Sequence, residues 1–130
     1  MQRICADVDA RASGNISLNA YAFQIYIKKA YDLSEAVTFY TDVNGNMRSD
    51  GAGVQIFNSG DVSDVRCKKT KVRDGSELAD FFRKACGNAR RADTSATGRG
   101  HTLSSRSHVI YCVEVINGDK KGVLMVVDLA

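Results

Sequence analysis

Residues 101–108, HTLSSRSH, gather the side chains of this 130-residue chain best suited to handling an anion. Ser104, Ser105 and Ser107 carry hydroxyls that can ligate a hard cation or hydrogen-bond phosphate oxygens. Between them, Arg106 offers a guanidinium that neutralises charge or grips a carboxylate through two parallel bonds. His101 precedes the cluster and His108 closes it. A second chemical group ends the last apolar run, VLMVVDLA, where Asp128 follows a stretch of strand-forming residues. A carboxylate at the C-terminal end of a strand in an open α/β sheet lies where such folds bind ligands. In phosphate-handling sites it orders the water shell of Mg²⁺. Taken singly, each feature also has an ordinary reading. A serine-rich tetrapeptide is a solvated turn, a strand-end aspartate faces water, and a histidine at a strand start is a packed structural residue.

The elements that must position these groups are legible in part. ISLNAYAFQIYI (16–27) is rich in β-branched and aromatic residues and reads as a strand. Ile4, Cys5 and Val8 have helical spacing within 2–12, and SGN at 13–15 ends that segment. KKAYDLSEAV (28–37) reads as a helical turn or loop, and DVNGNMRSDGAG (42–53) as a loop. Residues 54–57 and 65–72 look like the arms of a β-hairpin. In SELADFFRKACGNARR (76–91), Leu78, Phe81, Phe82 and Ala85 recur at i, i+3, i+4 and i+7, which predicts a helix. Asp74 or Ser76 suits its N-cap, Gly87 its C-terminal cap, and Arg90 and Arg91 the negative end of its dipole. A polar loop follows (92–103), then a strand (108–116), a tight Asn-Gly connection, and a final strand (123–130). The near-unbroken apolar run of that strand predicts burial on both faces, as at the centre of a sheet. Strand, hairpin, helix, loop, strand, turn, strand implies a layered α/β domain.

Composition narrows the function. A net charge of +3 is too mild to argue for nucleic acid, and no apolar run is long enough to cross a bilayer. The N-terminus has no signal-peptide core. The four cysteines, Cys5, Cys67, Cys86 and Cys112, include no closely spaced pair, so they read as reduced cytosolic thiols rather than zinc ligands. There is no G-x-x-x-x-G-K-[ST], and the glycine-rich ATGRGHT stretch has no lysine to reach a phosphate.

Taken in order, SSRSH, an apolar strand, a hairpin turn and a second strand ending in DLA resemble the kinesin motor domain. In that family SSRSH is the nucleotide-sensing loop called switch I, and DLAG opens switch II. YAFQIYIKKAYDL (21–33) is similar to the family's strand with its EIY…DLL ending, and residues 54–72 to the hairpin before its third major helix. SELADFFRKACGNARR is similar to that helix, with Gly87 and Arg91 at its characteristic glycine and arginine. The sequence departs from the pattern at His101, where the family has asparagine; a histidine can still donate to phosphate. The stretch between Arg91 and Ser104 is about two residues longer than usual, and residues 42–53 look like an insertion.

The resemblance implies a layered motor fold with a mixed central sheet flanked by helices. Residues 1–130 would form its central portion, with the P-loop region and everything after the start of switch II lying outside. It also implies a microtubule motor that couples ATP hydrolysis to movement, in the cytoplasm on the cytoskeleton, with no nucleic-acid or membrane partner. In MgATP binding by the intact motor, Ser104 would face the γ-phosphate and Ser105 would approach Mg²⁺. Arg106 would pair with a switch II glutamate, His101 would reach phosphate, and Asp128 would hold Mg²⁺ through water. The chain by itself, lacking the phosphate cradle, is expected to be catalytically inactive and to bind no nucleotide tightly. The hairpin tip, residues 58–64, has two aspartates and no basic residue, so no microtubule contact carries over to it. The alternative is a non-enzymatic, kinesin-derived chain with a scaffolding or tubulin-interacting role.

Overall fold

The computed structural model describes residues 15–26, 29–51, 53–54, 65–96 and 107–130. Their elements are β1 (Ile16–Tyr26), β2 (Lys29–Asp32), β3 (Phe39–Thr41), β4 (Met47–Ser49), β5 (Thr70–Val72), α1 (Gly75–Ala96), β6 (Ser107–Asn117) and β7 (Lys120–Asp128). The expected helix at 2–12 and most of the expected hairpin, residues 55–64, lie outside the described residues.

The main sheet runs β2-β1-β6-β7, with β5 joining the free end of β1 beside β2. Its centre is β1 against β6, where Ile16 faces Asn117 at one end and Tyr26 faces Ser107 at the other. Where a mixed sheet was expected, every pairing among the described strands is antiparallel. The reason lies in the connections. β6 and β7 are joined by two residues, and a parallel partner requires a crossover of a dozen or more. Gly118, first of those two, has φ +60°, the left-handed backbone that such a turn demands.

One described helix covers one face of the sheet. Leu78, Phe82, Ala85 and Ala89 of α1 pack onto Leu18, Ala20, Ala22, Val109, Tyr111 and Val113, the residues that β1 and β6 turn towards it. Phe82 meets Tyr111 edge to face at 5.5 Å. The opposite face buries Tyr21, Phe23, Ile110 and Cys112 with Val65. A third cluster, Tyr26, Tyr31, Val37 and Phe39, closes the end near β2, with Phe39 edge-on to both tyrosines at 5.4 and 5.3 Å.

At the helix N-terminus, Asp74 Oδ1 accepts the Glu77 N–H at 2.9 Å, as the capping reading expects. The Glu77 carboxylate accepts the Arg73 N–H at 2.9 Å and pairs with the Arg73 guanidinium. The C-terminal end differs from expectation, because α1 runs on to Ala96 and has no basic residue in its last turn. Tertiary anchors past Gly87 carry it on. Asn88 is buried and donates Nδ2–H to the Leu33 carbonyl at 2.9 Å, and Ala89 is buried beside it.

Two segments read as irregular contain strands. Residues 29–32 form β2, paired in register with Phe23–Tyr26. Inside 42–53, β4 pairs with β3 in a small hairpin. Asp42 holds its turn: Oδ1 accepts the N–H groups of Asn44 (3.0 Å) and Asn46 (2.8 Å), Oδ2 meets Arg48 at 2.9 Å, and Gly45 takes φ +78°. These bonds hold the Asp42 carboxyl below its usual range, the Asn46 backbone bond first among them. The last strand also departs from the burial expected of it. β7 is the outer strand of the sheet, and Leu124 (46% exposed) and Val127 (44%) face solvent. No described helix is long and apolar enough to cross a membrane.

Candidate functional site

The hairpin register decides which ends of β6 and β7 meet. Pairing outward from the two-residue turn brings Asp128 opposite Val109. The strand that emerges from SSRSH therefore starts where the strand carrying the terminal carboxylate stops. A bond fastens the two ends, as the Ala130 N–H donates to His108 Nδ1 at 3.1 Å. Asp128 is exposed, and no described side chain pairs with its carboxylate. A strand-end carboxylate of this kind suits the hydrated shell of a divalent cation.

Ser107 is the one serine of the SSRS tetrapeptide among the described residues. It is buried, and its Oγ accepts Nε2–H of Gln24 at 3.0 Å. Gln24 is wholly buried, and its Oε1 has no hydrogen-bond partner among the described residues. Gln24, Val109 and Asp128 form one cross-strand row, so the glutamine lies two strands inward from the carboxylate. His101, Ser104, Ser105 and Arg106 lie outside the described residues. The structure thus places the flanks of the sequence-predicted cluster, Ser107, His108 and Asp128, at one corner of the sheet.

Other polar groups escaped sequence reading. Glu114 lies in the middle of β6 with its side chain 3% exposed, and three donors hold it: Lys121 Nζ at 2.6 Å, Lys69 Nζ at 2.7 Å and Asn19 Nδ2 at 2.8 Å. Burial pushes its pKa up, but the two ammonium groups and the amide outweigh that and hold the carboxyl at about 2. The signal was present, since a glutamate interrupts an apolar strand and lysines follow the tight turn that folds back on it. Asp32 is buried at the end of β2 and accepts the Ser34 N–H at 2.8 Å and the Lys68 N–H at 2.7 Å. It thereby staples the segment before β5 to the sheet.

The described cysteines are free thiols. Burial pushes Cys112 up to about 11, against opposing pulls from Tyr21 and Lys69. Burial, reinforced by the neighbouring Asp32 carboxylate, raises Cys67 further. These are packed thiols rather than nucleophiles. An open cleft of about 470 Å³ lies between β5 and the first turns of α1, where Lys68, Lys71 and Lys84 alternate with Glu77 and Asp80. None of its lining residues belongs to β6 or β7, so it is separate from the Asp128 corner.

No protein-family profile matches the chain, and no curated protein matches it. Among solved structures it is similar to that of a fast kinesin, described for its ATPase mechanism and its interactions with microtubules. The match has 19% identity and a TM-score of 0.59, and covers 100% of this chain and 36% of that one. At such identity the likeness establishes fold: the described sheet and helix are arranged as in part of a kinesin motor domain.

Proposed function

We propose that this chain is the switch-bearing central portion of a microtubule motor, supplying residues to a MgATP site that other parts of a longer protein complete. The supporting observation is the corner where β6 begins and β7 ends. Asp128 lies opposite Val109 there, and the DLA and SSRSH segments are tied by the Ala130–His108 bond. In a phosphoryl-transfer site the protein's contribution is positioning and charge stabilisation. On this reading Ser104 and Ser105 would offer hydroxyls to the γ-phosphate and the metal, His101 would donate to phosphate, and Asp128 would hold the water shell of Mg²⁺. Arg106 would pair with a switch II glutamate of the longer protein and help close the site around the attacking water. The bound cation neutralises charge on the phosphates. The partner is the microtubule, and the location is the cytoskeleton.

The test begins with full-length transcripts. The reading expects an upstream Gly-Lys-Ser or Gly-Lys-Thr P-loop and a Gly-Ser-Glu continuation after Ala130. In that protein, Arg106→Ala or Ser105→Ala should lower microtubule-stimulated kcat by about 10²-fold or more. An intact protein that hydrolyses ATP equally well with either substitution would refute the site. Verified transcripts with neither motif would favour the non-enzymatic scaffold instead. The 130-residue chain alone should show no measurable MgATP binding, and tight binding would contradict the missing cradle.

A further inference from the structure

We infer that Gln24 is a positioning residue for the SSRSH segment, holding its last serine so that the residues before it are aimed at the phosphates; this rests on the motor reading and adds a residue of β1 to that site. Gln24 lies near the end of an apolar strand and is wholly buried. Its amide must be stripped of water to sit there, a cost that a leucine at the same position would not incur. The bond that offsets it runs from Nε2–H to Ser107 Oγ at 3.0 Å, joining residues 83 positions apart.

Register explains why Ser107 is the residue held. Tyr26 opposite Ser107 is the last pair between β1 and β6, so Ser107 is where the SSRSH segment enters the ladder. Gln24 pairs with Val109, two residues further along β6, and reaches Ser107 diagonally on the same face. Asp128 pairs with Val109 from the other side, so the Gln24–Ser107 bond and the strand-end carboxylate lie on one face of the sheet. The next residue, His108, turns to the opposite face, and its Nδ1 accepts the Ala130 N–H. Consecutive residues are thus fastened on both faces, one to β1 and one to the segment that follows β7. Arg106 is a single peptide bond from this double anchor, and Ser105 is one further. In a site that works by positioning, a displacement of about 1 Å costs on the order of 10²-fold in rate, so a modest bond at the anchor has a large effect on the groups beside it.

The test has two arms, so that failure of the anchor and failure of the motor reading are told apart. The first uses no nucleotide. Trypsin can cut after Arg106, and mass spectrometry follows that cut beside the cut after Arg83 in α1. Gln24→Met, which keeps the length of the side chain and removes the amide, should speed cleavage after Arg106 about tenfold and leave cleavage after Arg83 unchanged. Ser107→Ala should do the same. No change after Arg106, or an equal rise at both sites, would overturn the anchor. The second arm is the microtubule-stimulated ATPase activity of the full-length protein. Each single variant should lower kcat/KM for ATP about tenfold, and the double variant Q24M/S107A no further. The double variant leaves neither amide nor hydroxyl unpaired, so its thermal stability should recover towards wild type while kcat/KM stays low. Activity that recovers with stability, or an active protein indifferent to both single changes, would overturn the positioning role. A full-length protein without ATPase activity would overturn the motor reading and this role together, with the tryptic result left standing.

Discussion

Glu114 is a carboxylate in a place where desolvation alone would keep it protonated, and Lys69, Lys121 and Asn19 reverse that. Its pKa of about 2 in the folded chain lies below its ordinary value, so the unfolded chain binds the extra proton. The stability it contributes is therefore fully present above about pH 4.5 and lost as pH falls towards 2, amounting to about 3 kcal/mol. Glu114→Gln should lower stability at pH 7 by a similar order and flatten the acid limb of a denaturant-midpoint curve taken from pH 6 to 2. An unchanged acid limb would show that other groups set it. Asp32 calls for a different measurement, because what it satisfies is backbone. Asp32→Ala leaves the Ser34 and Lys68 N–H groups without their acceptor and should cost about 1–3 kcal/mol in urea unfolding. Cys112 and Cys67, raised by burial, should resist thiol labelling at pH 8 until the chain unfolds.

Gly87 shows how an element can outrun its local signals. By composition it is a C-terminal cap, yet it sits inside α1, and a Cβ there would meet nothing within 4 Å. Gly87→Ala should stabilise the chain by roughly 0.5–1 kcal/mol by lowering the backbone entropy of the unfolded state. Asp74→Ala at the other end should destabilise it by about 1 kcal/mol through loss of the cap. Thermal melts moving in opposite directions would confirm both. The same contrast explains what the sequence made legible. β1, β6 and the buried stripe of α1 carry strong periodicity, because each has one or two faces packed against neighbours, and those segments are strands and helix as expected. β2 and β3–β4 are three or four residues long. Pairing partners define strands that short, and partners distant in sequence leave no local pattern. Asn88 bonding to Leu33, which prolongs the helix, is equally non-local. At the site, Asp128 and His108 stood out by type, but Gln24 did not, since a glutamine within an apolar strand acquires meaning only when register brings it to Ser107.

At the scale of the whole molecule, protection should follow position in the sheet. β1 and β6 pair along their full length, bury residues on both faces, and carry neighbours on either side. Their amides can exchange only when the core opens, so their opening free energy approaches that of global unfolding. β7 is bonded on one edge, and the β3–β4 hairpin is a separate two-stranded sheet tied by the exposed Asp42 network. Hydrogen exchange read by mass spectrometry at low micromolar concentration should therefore be slowest in 16–26 and 107–117 and fastest in 39–49. Residues 120–128 should be intermediate, because alternate amides of an outer strand face water. Uniform protection across all four segments would mean that the sheet opens as one unit.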